Sequence, residues 1–336
     1  MKKENHFLCK IMLPAIFAFI SLSCGSDNSS DSAPNITQGG QIIADHTVVD
    51  RYSAIPQAYI DIVKTWLVDI AGESHSSGYR IGMDLLEAQE SKFQVATFDS
   101  SIPSITSSEL RLGRHASVGE EDFYTNTAAI TTIKNKITSQ HNAGNPIHVL
   151  GFGWCWDMTW TNDPGGTVDP VYGVHWAGSS SDGPDGNLRW GLDAGDEALT
   201  GNSVCMDTYL NAVVEYINYC TSNGYVCKII FTTGPVDDVY ETTNGTENGY
   251  QRELKHNYIR NFVAQDSSRI LFDYADILCY NNSGAVAEFT WDGRTHKGIH
   301  PDNAGYNTGH IGNTGSLRLA KAMWWMLARM AGWDGN

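Results

Sequence analysis

Short apolar runs, each too brief for a stable helix and bounded by polar turns, alternate along this chain with longer stretches of helical spacing. That alternation limits the fold more than any other feature. The runs are Trp66 to Ala71, Phe93 to Phe98, "IHVLGFG" from Ile147, "VCKIIFTTG" from Val226 and "RILFDYA" from Arg269. Helical spacing occupies Pro56 to Thr65, Tyr79 to Glu90, Thr127 to His141, Met206 to Ser222 and Tyr250 to Ala264. Strands that are apolar on both sides must be covered on both faces, and strands joined through helices run parallel. The sequence therefore predicts an α/β fold, a three-layer sandwich around a five-stranded parallel sheet. Ligands in such sheets sit outside the carboxyl ends of the strands. Residues just after Ala71, Phe98, Gly153, Thr233 and Ala275 are expected along one functional edge.

The remaining organisation follows from composition. Lys2 and Lys3, the apolar run Ile11 to Ile20 and the small-residue stretch ending at Cys24 predict an export signal over residues 1–23, with Cys24 as a lipidated first residue. Ser21 stands where such signals usually carry Leu. Residues 24–44, rich in Ser, Asp, Asn and Gly, lack the apolar surface to offset ordering and read as a tether. The early part of that tether resembles the surface-export signal of bacterial lipoproteins. The expectation is an exported protein anchored to the outer membrane through lipid, at the cell surface, with residues 45–336 as its folded domain. With 38 acidic against 22 basic residues, the surface repels nucleic acid, and no such partner is expected.

Five cysteines follow the signal and tether start, an odd number with no zinc spacing: Cys155, Cys205, Cys220, Cys227 and Cys279. Cys220 and Cys227 flank "TSNGYV", where a local disulfide and a pair of buried thiols both remain open. The last helix, "SLRLAKAMWWMLARMAG", has Ser316 as its expected N-cap and stops at Gly332, with Leu319, Met323, Met326 and Met330 on one core-facing stripe.

The stretch "VDIAGESHSSGYRIG" sets Ser74 between an apolar run and a helix. A hydroxyl there lies at the carboxyl end of a strand, above the N–H groups and positive dipole end of the next helix, which suit a developing oxyanion. A serine-rich helix cap is the plainer reading of the same residues. Gly72-Glu73-Ser74-His75-Ser76-Ser77-Gly78 resembles the G-D-S-x-[ST]-x-G block of the SGNH/GDSL hydrolases, with Glu73 in the Asp position. That family draws its histidine from a block just before the last helix. In "HIGNTGSLRLA", His310 has Gly315 five residues on, and in "HPDNAGY", His300 has Gly305 in the same relation. The resemblance implies a flavodoxin-like SGNH hydrolase fold without cofactor, with Ser74 as nucleophile and His310 as base, His300 being the alternative.

The family's Asp three residues before the base is missing at both sites, since Asn307 precedes His310 and Lys297 precedes His300. The orienting group falls to Asp302, Asp292 or Asn307. Oxyanion candidates carried over from the family are Gly113 or Gly119, which "RLGRHASVGEED" does not distinguish, and Gly153, whose "GFGWCWDMTW" lacks the family's Asn.

An insertion over residues 154–200 interrupts the alternation and is rich in Trp, Gly and Asp. Trp154, Trp156, Asp157 and Trp176 are its candidate sugar contacts, because a pyranose has an apolar face to stack and hydroxyls to bind. The expected partner is therefore a polysaccharide or oligosaccharide. Asp163, Asp169, Asp182 and Asp185 match no calcium loop, and no metal is expected. Three functions stay on the table: a serine esterase acting on an acetylated or otherwise esterified carbohydrate, a non-catalytic surface glycan-binding lipoprotein, and a carboxylate-dependent glycosidase using Glu73 and Asp157.

Overall fold

The computed structural model describes residues 40–72, 74–116, 122–154, 177–180, 188–190, 206–236 and 245–336. The signal, Cys24 and nearly all of the tether and insertion lie outside the described residues. In chain order the elements are β1 (Ile43–Ala44), a 3-10 segment (His46–Ala54), α1 (Gln57–Lys64), β2 (Leu67–Gly72), a 3-10 turn (Ser74–Ser76), α2 (Ser77–Gln89), β3 (Val95–Phe98) and β4 (Leu110–Gly113). Then come α3 (Asp122–Thr125), α4 (Thr127–Asn142), β5 (Val149–Gly153), β6 (Ala177–Ser180), β7 (Leu188–Trp190), α5 (Met206–Ser222), β8 (Lys228–Ile229) and β9 (Phe231–Thr232). The chain finishes with α6 (Glu247–Ala264), β10 (Leu271–Phe272), α7 (Tyr274–Cys279), the hairpin β11 (Glu288–Trp291) and β12 (Arg294–Lys297), and α8 (Asn313–Met330).

The protein is an α/β fold whose main sheet has five parallel strands in the order β3-β4-β2-β5-β8. A second parallel set, β1-β10-β9, continues it, because β8 and β9 are two pieces of one segment. Ile230 between them donates its N–H to Leu150 O of β5 at 2.9 Å, while Phe231 donates to Ile270 O at 2.9 Å. With the edge strands β3 and β1 set aside, β4, β2, β5, β8/β9 and β10 stand in the doubly wound order 2-1-3-4-5. The order reverses between β2 and β5, which pair from Val68↔Val149 to Gly72↔Gly153.

The sheet separates two cores. Val68 and Ile70 of β2 point into one, with α2, α7 and α8, whereas Leu67 and Ala71 point into the other, with α3, α4 and α5. This period of two is the pleat of a strand buried on both faces. Leu319, Met323 and Met326 of α8 are buried as expected, and so are Ala320, Trp324, Trp325 and Leu327, so the helix is core on nearly every side.

Three expectations need correction. β4 was not anticipated; it inserts between β3 and β2 on only four residues, two of them Arg111 and Gly113. The run from Arg269 extends as strand only to Phe272, because the Asp273 carboxylate accepts from the N–H of Asp276 and starts α7. Finally, α8 begins at Asn313 with Gly312 as N-cap, so Ser316 lies in its first turn, where its hydroxyl accepts from Asn307 Nδ2 at 3.0 Å.

Candidate active site

All six residues of β2 are buried, and the strand ends at Gly72 with φ of 113°. A Cβ there would sit 2.0 Å from Gly153 O, so only glycine lets the ends of β2 and β5 meet this closely. The chain then leaves the sheet through the Ser74–Ser76 turn into α2. Ser74 is half-buried, whereas His75 and Ser76 are buried. Ser76 is the N-cap of α2 but makes no side-chain cap, which leaves the helix's first N–H groups without that partner.

The two ends of the folded domain meet at this turn. Asn307 builds a tight loop: its Oδ1 accepts from Gly309 N at 2.8 Å and Ile311 N at 3.5 Å, and its backbone carbonyl accepts from His310 N at 3.0 Å. That loop presses on the start of α2, where a Cβ on Gly309 would stand 2.5 Å from Gly78 N. At its tip His310 is exposed, in a left-handed conformation with φ of 56°. Its ring centroid lies 4.9 Å from that of His75, the neighbour of Ser74. Burial, then the neighbouring His310 and Arg252, holds the His75 pKa well below the usual histidine range, so His75 is neutral at physiological pH.

The candidate orienting groups separate in space. Asp302 belongs to His300: its carboxylate lies 3.5 Å from His300 Nδ1, which also accepts from Asp302 N at 3.1 Å, and its Oδ2 takes a hydrogen bond from Asn281. Asp292 sits in the β11–β12 turn, paired with Arg294 at 2.5 Å. The Asn307 amide is spent on its own loop and on Ser316. Among the described residues no carboxylate is hydrogen-bonded to the His310 ring.

Of the oxyanion candidates, Gly113 ends β4 with its Cα against the Phe98 ring and carbonyl, and Gly153 ends β5 directly beside Ser76. Trp154 is not an open sugar platform. It is 2% exposed, packs on Tyr209 at 4.6 Å and donates its indole N–H to Thr232 O at 3.0 Å, as a core residue does. Glu73, Gly119, Trp156, Asp157 and Trp176 lie outside the described residues.

Sequence reasoning missed two features of this edge. Asp69, wholly buried within β2, accepts from His115 N at 3.0 Å and Ala116 N at 2.9 Å, tying the turn after β4 to the strand that precedes the Ser74 turn. Burial pushes its carboxyl pKa up to about 7, against the opposing pull of those two N–H groups and Lys136. The signal was an acid in an otherwise apolar run. The second is a pair of arginines, Arg80 and Arg114, that share the Asp99 carboxylate beside the Ser74 turn.

Elsewhere on the same edge, Asp45, His46 and Asp276 could offer three metal-ligand atoms within 4.8 Å of one another, but Lys297 Nζ already stands 3.2 Å from the Asp276 carboxylate. Cys220 and Cys227 are buried free thiols, hydrogen-bonded to each other. Among the described residues no helix is long and apolar enough to cross a membrane.

Fold and edge together define an α/β protein of doubly wound strand order that brings a serine turn and an imidazole loop to the carboxyl ends of its strands. No protein-family model matches the chain, and no curated protein matches it.

Proposed function

We propose that the protein is a serine ester hydrolase of the SGNH type acting on an acetylated or otherwise esterified carbohydrate. The observation that supports the reading is the His310 loop folded onto the first turn of α2, with its ring centroid 4.9 Å from that of His75, the residue that follows Ser74. Ser74 Oγ adds to the ester carbonyl as His310 takes its proton. The carbonyl oxygen gains negative charge facing the uncapped N–H groups of α2. The imidazolium then protonates the leaving sugar hydroxyl, and water, deprotonated by His310, releases the acid from the acyl-enzyme. The sequence of residues 1–44 supports export and a lipid anchor at Cys24, which would set this chemistry outside the cell.

Labelling with a fluorophosphonate followed by peptide mapping tests the reading. The expected adduct is on Ser74, and it disappears in Ser74→Ala. An unlabelled wild-type protein, or labelling that survives the substitution, overturns it. Release of acetate from an acetylated glycan, rather than of reducing sugar, separates it from a glycosidase. The lack of a carboxylate on His310 among the described residues favours one rival, a glycan-binding protein on the same fold, which predicts no adduct at all.

A further inference from the structure

One carboxylate holds the loop that follows β4. Asp69, 0% exposed, stands opposite Gly113 at the end of β4, and each of its oxygens takes one backbone N–H of the loop: Oδ1 from His115 at 3.0 Å, Oδ2 from Ala116 at 2.9 Å. The residue just before this pair is Arg114, whose guanidinium donates to Gly72 O at 3.2 Å. Gly72 ends β2 two residues before Ser74, where φ of 113° turns the chain out of the sheet. A side chain in the middle of β2 is thus connected, through three consecutive loop residues, to the turn that the same strand feeds.

The two protonation states of Asp69 hold this loop differently. Ionised, both oxygens are acceptors and both hydrogen bonds are charge-assisted, roughly twice as strong as neutral ones. Protonated, one oxygen becomes a hydroxyl, a donor set against an N–H donor, and the assistance of charge is gone. Burial pushes the carboxyl up to about 7, against the pull of the two N–H groups and of Lys136, so the two states exchange near neutral pH. Lys136 reaches in from α4 and donates to His115 O at 2.7 Å, which braces the same loop. Cys227, ahead of β8, also acts on Asp69, but its hydrogen bond with Cys220 and its burial keep that thiol protonated and neutral in this range. The His115 imidazole is engaged with Ser100 O at 3.2 Å.

We infer that Asp69 is a positioning residue for the Ser74 turn: its ionised carboxylate fixes the loop after β4, Arg114 passes that order to Gly72, and Ser74 reacts fastest when Asp69 is ionised. The inference rests on the nucleophile role proposed for Ser74, but the coupling can be read without any reaction.

Amide NMR of the full chain across neutral pH reads it. The Ala116 amide proton, which has no titrating ring on its own residue, should shift with a midpoint near 7, and the Ser74 amide should show a step at the same midpoint. Arg114→Ala should remove the Ser74 step and leave that of Ala116, which separates a relay through Arg114 from a general change in the fold. Asp69→Asn should lose both steps. In that variant the rate at which a fluorophosphonate modifies Ser74 should fall at least about fivefold at about pH 8, and its acid limb should keep only the proton of His310. A level Ala116 amide, a Ser74 amide without the shared step, or a labelling profile unchanged in Asp69→Asn overturns the inference. A wild-type protein that takes no label sinks the esterase reading alone, since the two amides still report whether Asp69 governs the turn.

Discussion

Replacing Asp69 by Asn should change how stability depends on pH, in a direction the structure fixes. The carboxyl of Asp69 is wholly buried, and its pKa rises from 3.8 to about 7 on folding. A pKa raised on folding means the folded protein holds the proton more tightly than the unfolded chain does. The stability that results is fully present below pH 4 and is lost as pH rises through about 7. A shift of this size corresponds to about 4 kcal/mol at 1.36 kcal/mol per unit, a large share of the ~5–15 kcal/mol that holds a typical domain together.

Asn carries no charge to desolvate, so that loss disappears in the variant. Asn also offers only one acceptor oxygen where His115 N and Ala116 N now find two, which costs about 1–3 kcal/mol at every pH. The expected result is a variant equal to or weaker than wild type at pH 4 and more stable at pH 8, the difference moving by about 3–4 kcal/mol. Urea titrations of both proteins across that range measure it as a shift in midpoint at constant slope. A difference that does not vary with pH would show that Asp69 is ionised throughout, with its two N–H partners outweighing burial.

Other outcomes follow from single contacts. Gly72→Ala should cost at least ~3 kcal/mol or prevent folding, seen in thermal melts, because φ of 113° and a carbonyl 2.0 Å from the new methyl penalise it together. Asn307→Ala should lower stability by about 2 kcal/mol and esterase turnover at least tenfold, since the turn that presents His310 loses its internal acceptor. His310→Ala should reduce kcat about a thousandfold, whereas Asp302→Ala and His300→Ala, which remove the two halves of one pair, should resemble each other in a double-mutant cycle. Oxidised glutathione should join Cys220 and Cys227, closing an eight-residue loop worth about 2.5 kcal/mol, and peptide mass would show the loss of two hydrogens.

The elements that could be read from sequence are those whose burial leaves a period. β2, α4, α5 and α8 follow apolar spacing to within a turn of the expected limits, because each buries a regularly spaced set of side chains. β4 escaped because a four-residue strand with Arg111 and Gly113 has too few apolar positions for alternation to register. Arg111 is buried there by bonds to Asn145 Oδ1 at 2.6 Å and Thr65 O at 3.3 Å that no local pattern announces. That the Ser74 turn and the His310 loop come together was legible through a motif spacing. The Asp99 bridge between Arg80 and Arg114 was not, since its members come from three separate elements and meet only through the strand order β3-β4-β2. The pairing of Asp302 with His300 is local, across one 3-10 turn, but where it sits is tertiary: His300 N is held by Leu278 O at 2.9 Å, and this hydrogen bond ties the pair to the end of α7, apart from the His310 loop.

Buried imidazoles set the acid limb of stability, and they oppose Asp69. Burial holds His75 and His256 well below the usual range, and His148 falls to about 4. Each is neutral in the folded protein at pH 5.5, yet the unfolded chain, with a histidine pKa of about 6.5, binds close to one proton at each. Asp69 contributes in the other direction, since it is protonated when folded and ionised when unfolded at that pH. Three sites against one leave a net uptake of protons on unfolding, so stability should fall with acidification near pH 5.5. The sign follows because these histidine pKa values are lowered on folding: their contribution is complete above pH 6.5 and shrinks as pH drops towards the folded values. Substituting Asn for His148, the one of the three whose ring stacks on Trp66 at 5.3 Å and accepts from Leu67 N at 3.2 Å, should reduce that slope by nearly one proton. Because His75 lies against His310, the proposed base, acid unfolding that protonates His75 also disperses the proposed site, so label incorporation should be lost where the protein unfolds in acid. Midpoints that stay level from pH 6.5 to 5 would mean that the three rings are hydrated in the folded protein, and the argument from burial would then fail for His75 as well.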